Sequence, residues 1–392
     1  MKKLSLPVFS ITLCVSFLLA VFVRPASAQP ASAQDEIVTT NDALCVPGVD
    51  QMESLNCLNA GPAKQVNDYA AIGLTFPEEA VSMVHPPLDL FNIPFSYAEV
   101  DQGSVNLYAS VEDAIADKPD SILPAGRIKY VSLTQKQVTD YGTFYQIATG
   151  KWINGANIKK ASIPYFQGYL IKQNPTTPFG WVLTNDAVSH SSPDYNAPVN
   201  DKKYTRMQLI HKYGEETVNG TDWIMIGPNE WMEHRFLGFV YNNPTAPAGV
   251  TNNRWIEVNL YEQVLTVYDQ GEMVFATLIS SGVEPFYTKP GTFTIYKKVE
   301  HEYMTGAFEA DRSDYYYLEE VPFIMYYDES RALHGAYWNT FYGYQRSHGC
   351  VNLSVGDAHW LYDWANEGDT VYVWDPSGLT PTDPSAYTQG GA

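Results

Sequence analysis

A mainly β fold is predicted for this chain of 392 residues. It holds 28 tyrosines and 9 tryptophans, residues that favour pleated, half-buried surfaces. Most of it runs in short alternating stretches between Gly, Pro, Asn and Asp, and little repeats at helical spacing. At this length two or three domains are expected, and a hydrophobic content of 45% is ample for their cores.

The N-terminus reads differently. Lys2 and Lys3 precede an apolar run from Leu4 to Val23, and Ala26-Ser27-Ala28 gives a small-residue cleavage pattern, so 1–28 is expected to be a secretory signal peptide. A retained anchor is the alternative, because the run approaches the length of a membrane span. No later segment is apolar for long enough to span a bilayer, so the mature protein is expected outside the cytoplasm, secreted or held at a cell envelope. The net charge is −20, and losing the three cations Lys2, Lys3 and Arg24 would take it to about −23. So acidic a surface argues against nucleic acid and anionic membranes as partners.

Residues 29–84 read as a leader. Cys45 and Cys57 lie close together in a Pro/Gly/Asn-rich stretch, and export allows them to pair as a disulfide. Closing so short a loop could stabilise the locality by roughly 3 kcal/mol. Cys14 would leave with the signal, and Cys350 is then the cysteine without a partner.

From about Pro94 to Val240 strands are expected, among them Val105–Tyr108 and Gly126–Val131. A weak repeat falls inside this stretch. Phe144-Tyr145-Gln146-Ile147 runs through Gly150 to Trp152-Ile153, and Trp223-Ile224-Met225-Ile226 runs through Gly227 to Trp231-Met232; each reads as a hairpin. The two halves, 85–165 and 166–241, resemble tandem bacterial SH3-like β-barrels, a likeness of patterning alone.

A linker is expected over 242–253, where Asn242-Asn243-Pro244 leads to Pro247-Ala248-Gly249. The next domain, 254–376, opens as a meander: Ile256, Val258 and Leu260 alternate, then Leu265 and Val267, with a turn at Asp269-Gln270-Gly271 before a strand from Met273 to Ile279. Lys289-Pro290-Gly291 signals a turn ahead of a strand over Thr292–Tyr296. Ser354 and Asp357 then fit a capped helix start, with Ala358, Leu361, Tyr362 and Ala365 on one face and Gly368 to end it. Thr370–Trp374 closes the domain as a strand, and 377–392 is expected to be a flexible tail.

The chemistry concentrates at Ser347-His348-Gly349-Cys350-Val351-Asn352, with His334-Gly335 upstream. A thiol works as thiolate, and an imidazole within hydrogen-bond reach is the usual way to make one. For a His/Cys pair alone, a buried structural cysteine is the commoner outcome. An unpaired thiol in an oxidising compartment shifts that balance, since it is a liability without a role. A zinc site drawn from His334, His348, Cys350 and His359 lacks any supporting ligand spacing, and no metal or cofactor is expected.

These residues, with Pro290-Gly291-Thr292-Phe293 before them and Asp357-Ala358-His359-Trp360-Leu361 after, resemble the L,D-transpeptidase (YkuD-like) catalytic domain, a β-sandwich with a short helix after its nucleophile. The Pro290-Gly291 pair departs from the family's commoner Pro-x-Gly spacing at that turn. The resemblance implies that Cys350 is the nucleophile and His334 its base, oriented through the Gly335 carbonyl. It implies that His348 shapes the substrate site, and that the N–H groups of His348, Gly349 and Cys350 form the oxyanion hole. Tyr317 is matched to a lid tyrosine, with Tyr315 and Tyr316 beside it as alternatives. Ser347, Asn352 and Arg346 complete the motif. The implied substrate is a peptidoglycan stem peptide, whose terminal D-alanine is expelled before an amine takes the acyl group in a 3→3 cross-link. Carbapenem-type inhibitors are implied as well. An L,D-carboxypeptidase, a protein-anchoring enzyme and a non-catalytic wall-binding protein stand as alternatives. A papain-like endopeptidase is disfavoured, because there the cysteine precedes the histidine.

Overall fold

Two β-sheets face each other across the main core of the computed structural model, which describes residues 43–45, 57–59 and 83–387 except 176 and 310. The expected signal peptide lies outside the described residues. Of the leader, the short strands Ala43–Cys45 and Cys57–Asn59 pair in parallel with Cys45 opposite Asn59 and Cys57 opposite Ala43; the cysteine side chains lie outside the described residues. Among the described residues no helix is long and apolar enough to cross a membrane.

The first sheet grows from the expected meander. Arg254–Asn259, Val264–Asp269 and Glu272–Leu278 pair antiparallel, and Asp269 faces Glu272 across a two-residue turn. Gln270 and Gly271 both have positive φ there (55° and 83°), the conformation that matches the twist of a tight hairpin. Thr370–Trp374 joins Arg254–Asn259 in parallel, and Gly291–Thr294 pairs with its other edge. Ile256 and Val258 project into the main core, whereas Trp255 packs into a second cluster on the opposite face with Trp181, Tyr268 and Tyr342.

The second sheet carries the functional loop. Lys297–Gly306 and Tyr316–Asp328 form a long antiparallel pair, Arg331–Gly335 turns back on Tyr316–Asp328, and Val351–Leu353 adds in parallel. Leu318, Val321, Ile324, Leu333, Val351 and Leu353 meet the first sheet across the core. The helix Val355–Trp364 follows at once. Ser354 accepts from the Asp357 N–H at its start, and Ala358, Leu361 and Ala365 are buried in the same core.

The upstream half contains both expected hairpins, with Tyr145 opposite Ile153 and Met225 opposite Trp231. It also enters both of these sheets. The strand Ile128–Thr139 pairs in parallel with Tyr316–Leu318, and Tyr169–Ile171 extends the first sheet beside Glu272–Leu278. Glu319 locks the first of these joins: its buried carboxylate accepts from the N–H groups of Ser132 (2.9 Å) and Ala148 (3.1 Å). At the far end, part of the segment expected to be a flexible tail packs on the fold, where Arg331 donates to the carbonyl of the buried Tyr387.

Candidate active site

Cys350 and His334 come together through strand register. Val351–Leu353 lies parallel to Arg331–Gly335 with Leu333 opposite Val351 and His334 opposite Asn352. Side chains alternate along a strand, so Cys350 and Asn352 stand on the face that carries His334. All three line one pocket of about 40 Å³, with Tyr316, Trp338 and His348. That is room for roughly two or three waters.

The glycine after the histidine is closely packed against Pro322. A Cβ on Gly335 would sit 3.0 Å from Cγ and 3.2 Å from the carbonyl oxygen of Pro322. The Gly335 carbonyl meets His334 Nδ1 at 3.2 Å. A carbonyl only accepts, so Nδ1 carries the proton and Nε2 keeps its lone pair. Trp338 stacks over the ring, 5.7 Å between centroids, and fixes its plane.

The cysteine loop is held by its own side chains. Ser347 Oγ donates to the Cys350 carbonyl and accepts from the Gly349 N–H at 3.1 Å. Gly349 adopts φ +119°, a region closed to most side chains. Thr288 donates to the Gly349 carbonyl and accepts from the Gly282 N–H, both at 2.8 Å. A Cβ on Gly282 would fall 2.0 Å from the Phe286 carbonyl oxygen, so only glycine admits this approach. Of the three N–H groups expected to form an oxyanion hole, that of Gly349 is thus spent on Ser347. Among the described residues, those of His348 and Cys350 have no partner.

His348 sits in an aromatic surround, 4.9 Å from Phe286, 5.9 Å from Phe308 and 5.1 Å from Tyr316 between ring centroids. Tyr317 is not brought to this site. Alternation sends Tyr316 and Leu318 toward the thiol and Tyr315 and Tyr317 into a cluster with Val131 and Ile147 from upstream. There the Tyr317 hydroxyl donates to Glu319 at 3.0 Å. Sequence reading also missed Thr288, Gly282 and Trp338. Only the parity of the Tyr315-Tyr316-Tyr317 run offered a signal, since Tyr316 and Leu318 alternate as an inward face.

Burial sets the protonation states. It pushes the Cys350 thiol up to about 11, although the Ala332 N–H and the Arg331 guanidinium favour the thiolate. The thiol is 4% exposed and points at the Ser330 carbonyl, 3.7 Å away. Burial likewise takes His334 down to about 4, against the Gly335 carbonyl, which favours the charged ring. Near neutral pH the resting pair is thiol and neutral imidazole. Burial also lowers His348, and Asp314 opposes it.

Residues 253–373 match the family model of YkuD, the L,D-transpeptidase catalytic domain. Solved structures it resembles include an L,D-transpeptidase from Stackebrandtia nassauensis, 26% identical, over 32% of this chain and 57% of that one, with a TM-score of 0.26. The catalytic domain of the Enterococcus faecium L,D-transpeptidase is 27% identical over 32% of this chain and 100% of its own (TM-score 0.29). The L,D-transpeptidase from Mycobacterium smegmatis is 20% identical over 55% and 93% (TM-score 0.30). The chain spans between 54% and 57% of the length of the first three solved structures it matches. No curated protein matches it.

Proposed function

We propose that the protein is an exported L,D-transpeptidase that forms a thioester at Cys350 with a peptidoglycan stem peptide. The observation that carries this is the shared strand face of Cys350 and His334, with His334 Nδ1 bonded to the Gly335 carbonyl and Nε2 left as the base. The pH 7 pair is neutral on both sides, so the proton passes to Nε2 as the sulfur attacks rather than beforehand. The N–H groups of His348 and Cys350 receive the oxyanion of the tetrahedral intermediate. Its collapse breaks the amide bond, and Nε2–H gives its proton to the departing amine of D-alanine. An amine of a second stem then attacks the thioester carbonyl, losing a proton as Cys350 regains one, which yields the 3→3 cross-link. One amide replaces another, so no energy-rich cofactor is required.

Arg346 is the one permanently charged side chain lining the pocket and suits a carboxylate of the stem peptide. Tyr316, which lines the pocket, packs on Phe308, and Phe308 packs on Phe286. The catalytic domain of the E. faecium enzyme has been solved acylated by ertapenem. A carbapenem offers the same reactive carbonyl to Cys350 here.

The experiment is incubation with disaccharide-tetrapeptide and, separately, with ertapenem, read by intact-mass spectrometry. One adduct on the wild type and none on Cys350→Ala supports the reading, and dimeric muropeptides identify the amine as acceptor. Trimmed monomers alone would make the enzyme an L,D-carboxypeptidase. An adduct that persists on Cys350→Ala would remove the thiol from the mechanism.

A further inference from the structure

The buried imidazole of His334 is held lightly for a group whose aim matters. Among the described residues it has one hydrogen bond, from Nδ1 to the Gly335 carbonyl at 3.2 Å. It has one aromatic neighbour there, Trp338, 5.7 Å between centroids and inclined by 30°. A single hydrogen bond lets a ring tilt about its axis, so the direction of Nε2 depends on where the indole stands.

The contacts that hold the indole lead upstream. Trp338 meets Tyr337 edge-on, 4.8 Å between centroids with planes at 86°. Tyr337 in turn lies flat on Tyr97, 3.5 Å between centroids at 12°, and Tyr130 meets it at 5.9 Å and 75°. Tyr97 and Tyr130 stand on the paired upstream strands Tyr97–Val100 and Ile128–Thr139. The hydroxyls of the stacked pair are tied down as well. Tyr337 donates to the Glu319 carbonyl and Tyr97 to the Glu320 carbonyl, both at 2.6 Å. Those two residues lie where Tyr316–Asp328 slips register against Lys297–Gly306, between the pairs Met304–Leu318 and Glu302–Val321. Such a slip leaves residues out of the ladder, and buried carbonyls there need donors from elsewhere. The two phenols supply them, which pins the stack at its rings and at its hydroxyl ends.

We propose that Tyr97 is a positioning residue for His334, acting through Tyr337 and Trp338. The proposal rests on the reading of His334 as base. A small misplacement of a reacting group costs rate although every group is still present. Without the flat Tyr97 ring, Tyr337 tilts, the indole follows, and Nε2 turns away from the sulfur. The thiol is placed separately, by the Ser347 bond to the Cys350 carbonyl and by the Ser330 carbonyl.

Two rates measured on the full chain test this: acylation of Cys350 by ertapenem, which uses the base, and alkylation by iodoacetamide, which does not. Tyr97→Leu should slow acylation of the folded protein about ten-fold and leave alkylation unchanged. Tyr97→Phe keeps the flat ring and should retain most of the acylation rate. In a His334→Ala background Tyr97→Leu should cost nothing further, because its effect passes through the imidazole. Acylation unchanged by Tyr97→Leu, while His334→Ala is slow, overturns the proposal and leaves the base reading standing. So does a further ten-fold loss in the His334→Ala background, and so does faster alkylation of Tyr97→Leu, which marks a general loosening around the thiol. His334→Ala as fast as the wild type would remove the base reading and the proposal with it. Tyr130 is half-buried, so Tyr130→Leu keeps the test decisive should Tyr97→Leu fail to fold. It should slow acylation about three-fold in the same pattern, and no effect from it in that case overturns the proposal.

Discussion

The phenol ring of Tyr316 stacks on the imidazole of His348, 5.1 Å apart and inclined by 29°, at the mouth of the Cys350 pocket. Its neighbour Tyr317 faces away and donates to Glu319 on the seam with the upstream strand. One strand thus carries a site residue and a structural residue at adjacent positions.

The two tyrosines should therefore separate in mutagenesis. Tyr316→Ala removes the ring that positions His348 and should slow acylation of Cys350 by ertapenem at least ten-fold, an effect of about 1.4 kcal/mol on the barrier. Tyr317→Phe loses one hydrogen bond to a carboxylate and should cost about 1.5–3 kcal/mol of stability with little change in acylation rate. Stopped-flow fluorescence and chemical denaturation read the two effects. The reverse pattern would return the lid role to Tyr317.

Gly335→Ala tests the strand that carries His334. The added Cβ must push back Pro322, whose backbone oxygen would lie 3.2 Å away, and it also meets Ala358 at 3.5 Å. Overpacking of this kind typically costs about 1–3 kcal/mol. The displaced strand moves His334 relative to Cys350, so acylation should slow by more than the folded fraction falls. A variant as active as the wild type would show that the Gly335 approach does not govern the geometry.

What was legible in the sequence was local. The Ser347–Asn352 loop, the Ser354 cap, the Gln270-Gly271 turn and both upstream hairpins depend on neighbours within a few positions, and turn and cap chemistry reveals these directly. The pairing of Ile128–Thr139 with Tyr316–Leu318 was not legible, because a parallel register between distant segments leaves no periodic mark in either. That hidden join supplies the upstream cluster into which Tyr315 and Tyr317 pack. It also places Ile128, an upstream residue, in the wall of the Cys350 pocket. The buried Glu257 was unreadable for a related reason: its strand is covered on both faces, so the expected alternation showed only the half that enters the main core.

The resting protonation of Cys350 predicts a particular alkylation profile. With the thiol held up at about 11, the thiolate fraction rises with pH over the whole accessible range. The rate with iodoacetamide should climb about ten-fold per pH unit from about pH 7 to 10, against a half-saturation near 8.5 for an unassisted thiol. His334→Ala should change this profile little, since the neutral ring adds no charge beside the sulfur, yet it should lower acylation by ertapenem about 10²–10⁴-fold through loss of the base. A plateau at pH 7–8 in the wild type, abolished by His334→Ala, would instead demonstrate a preformed thiolate–imidazolium pair.

Asp357 links the helix after Cys350 to the rest of the fold, and its titration should be visible in stability. Its fully buried carboxyl accepts from Thr277 Oγ1 at 2.6 Å and from the Gly168 N–H at 3.1 Å. Burial raises it to about 6 in spite of those donors and the Ser354 hydroxyl. The unfolded chain titrates near 3.9. Between those values the folded state holds the proton and the unfolded state does not, so this group's stabilisation is complete below about pH 4 and lost as pH rises through about 6. Two pH units correspond to about 3 kcal/mol. Asp357→Asn removes the ionisation and keeps the shape, so the difference in unfolding free energy between variant and wild type should shift in favour of the variant as pH is raised from 4 to 7. Measuring both proteins at each pH cancels the opposing contribution of His334, whose lowered value makes its own stabilisation present above about 6.5 and lost on acidification toward 4. A difference that stays constant across that window would mean that Asp357 ionises alike in the folded and unfolded chain and that burial does not raise it.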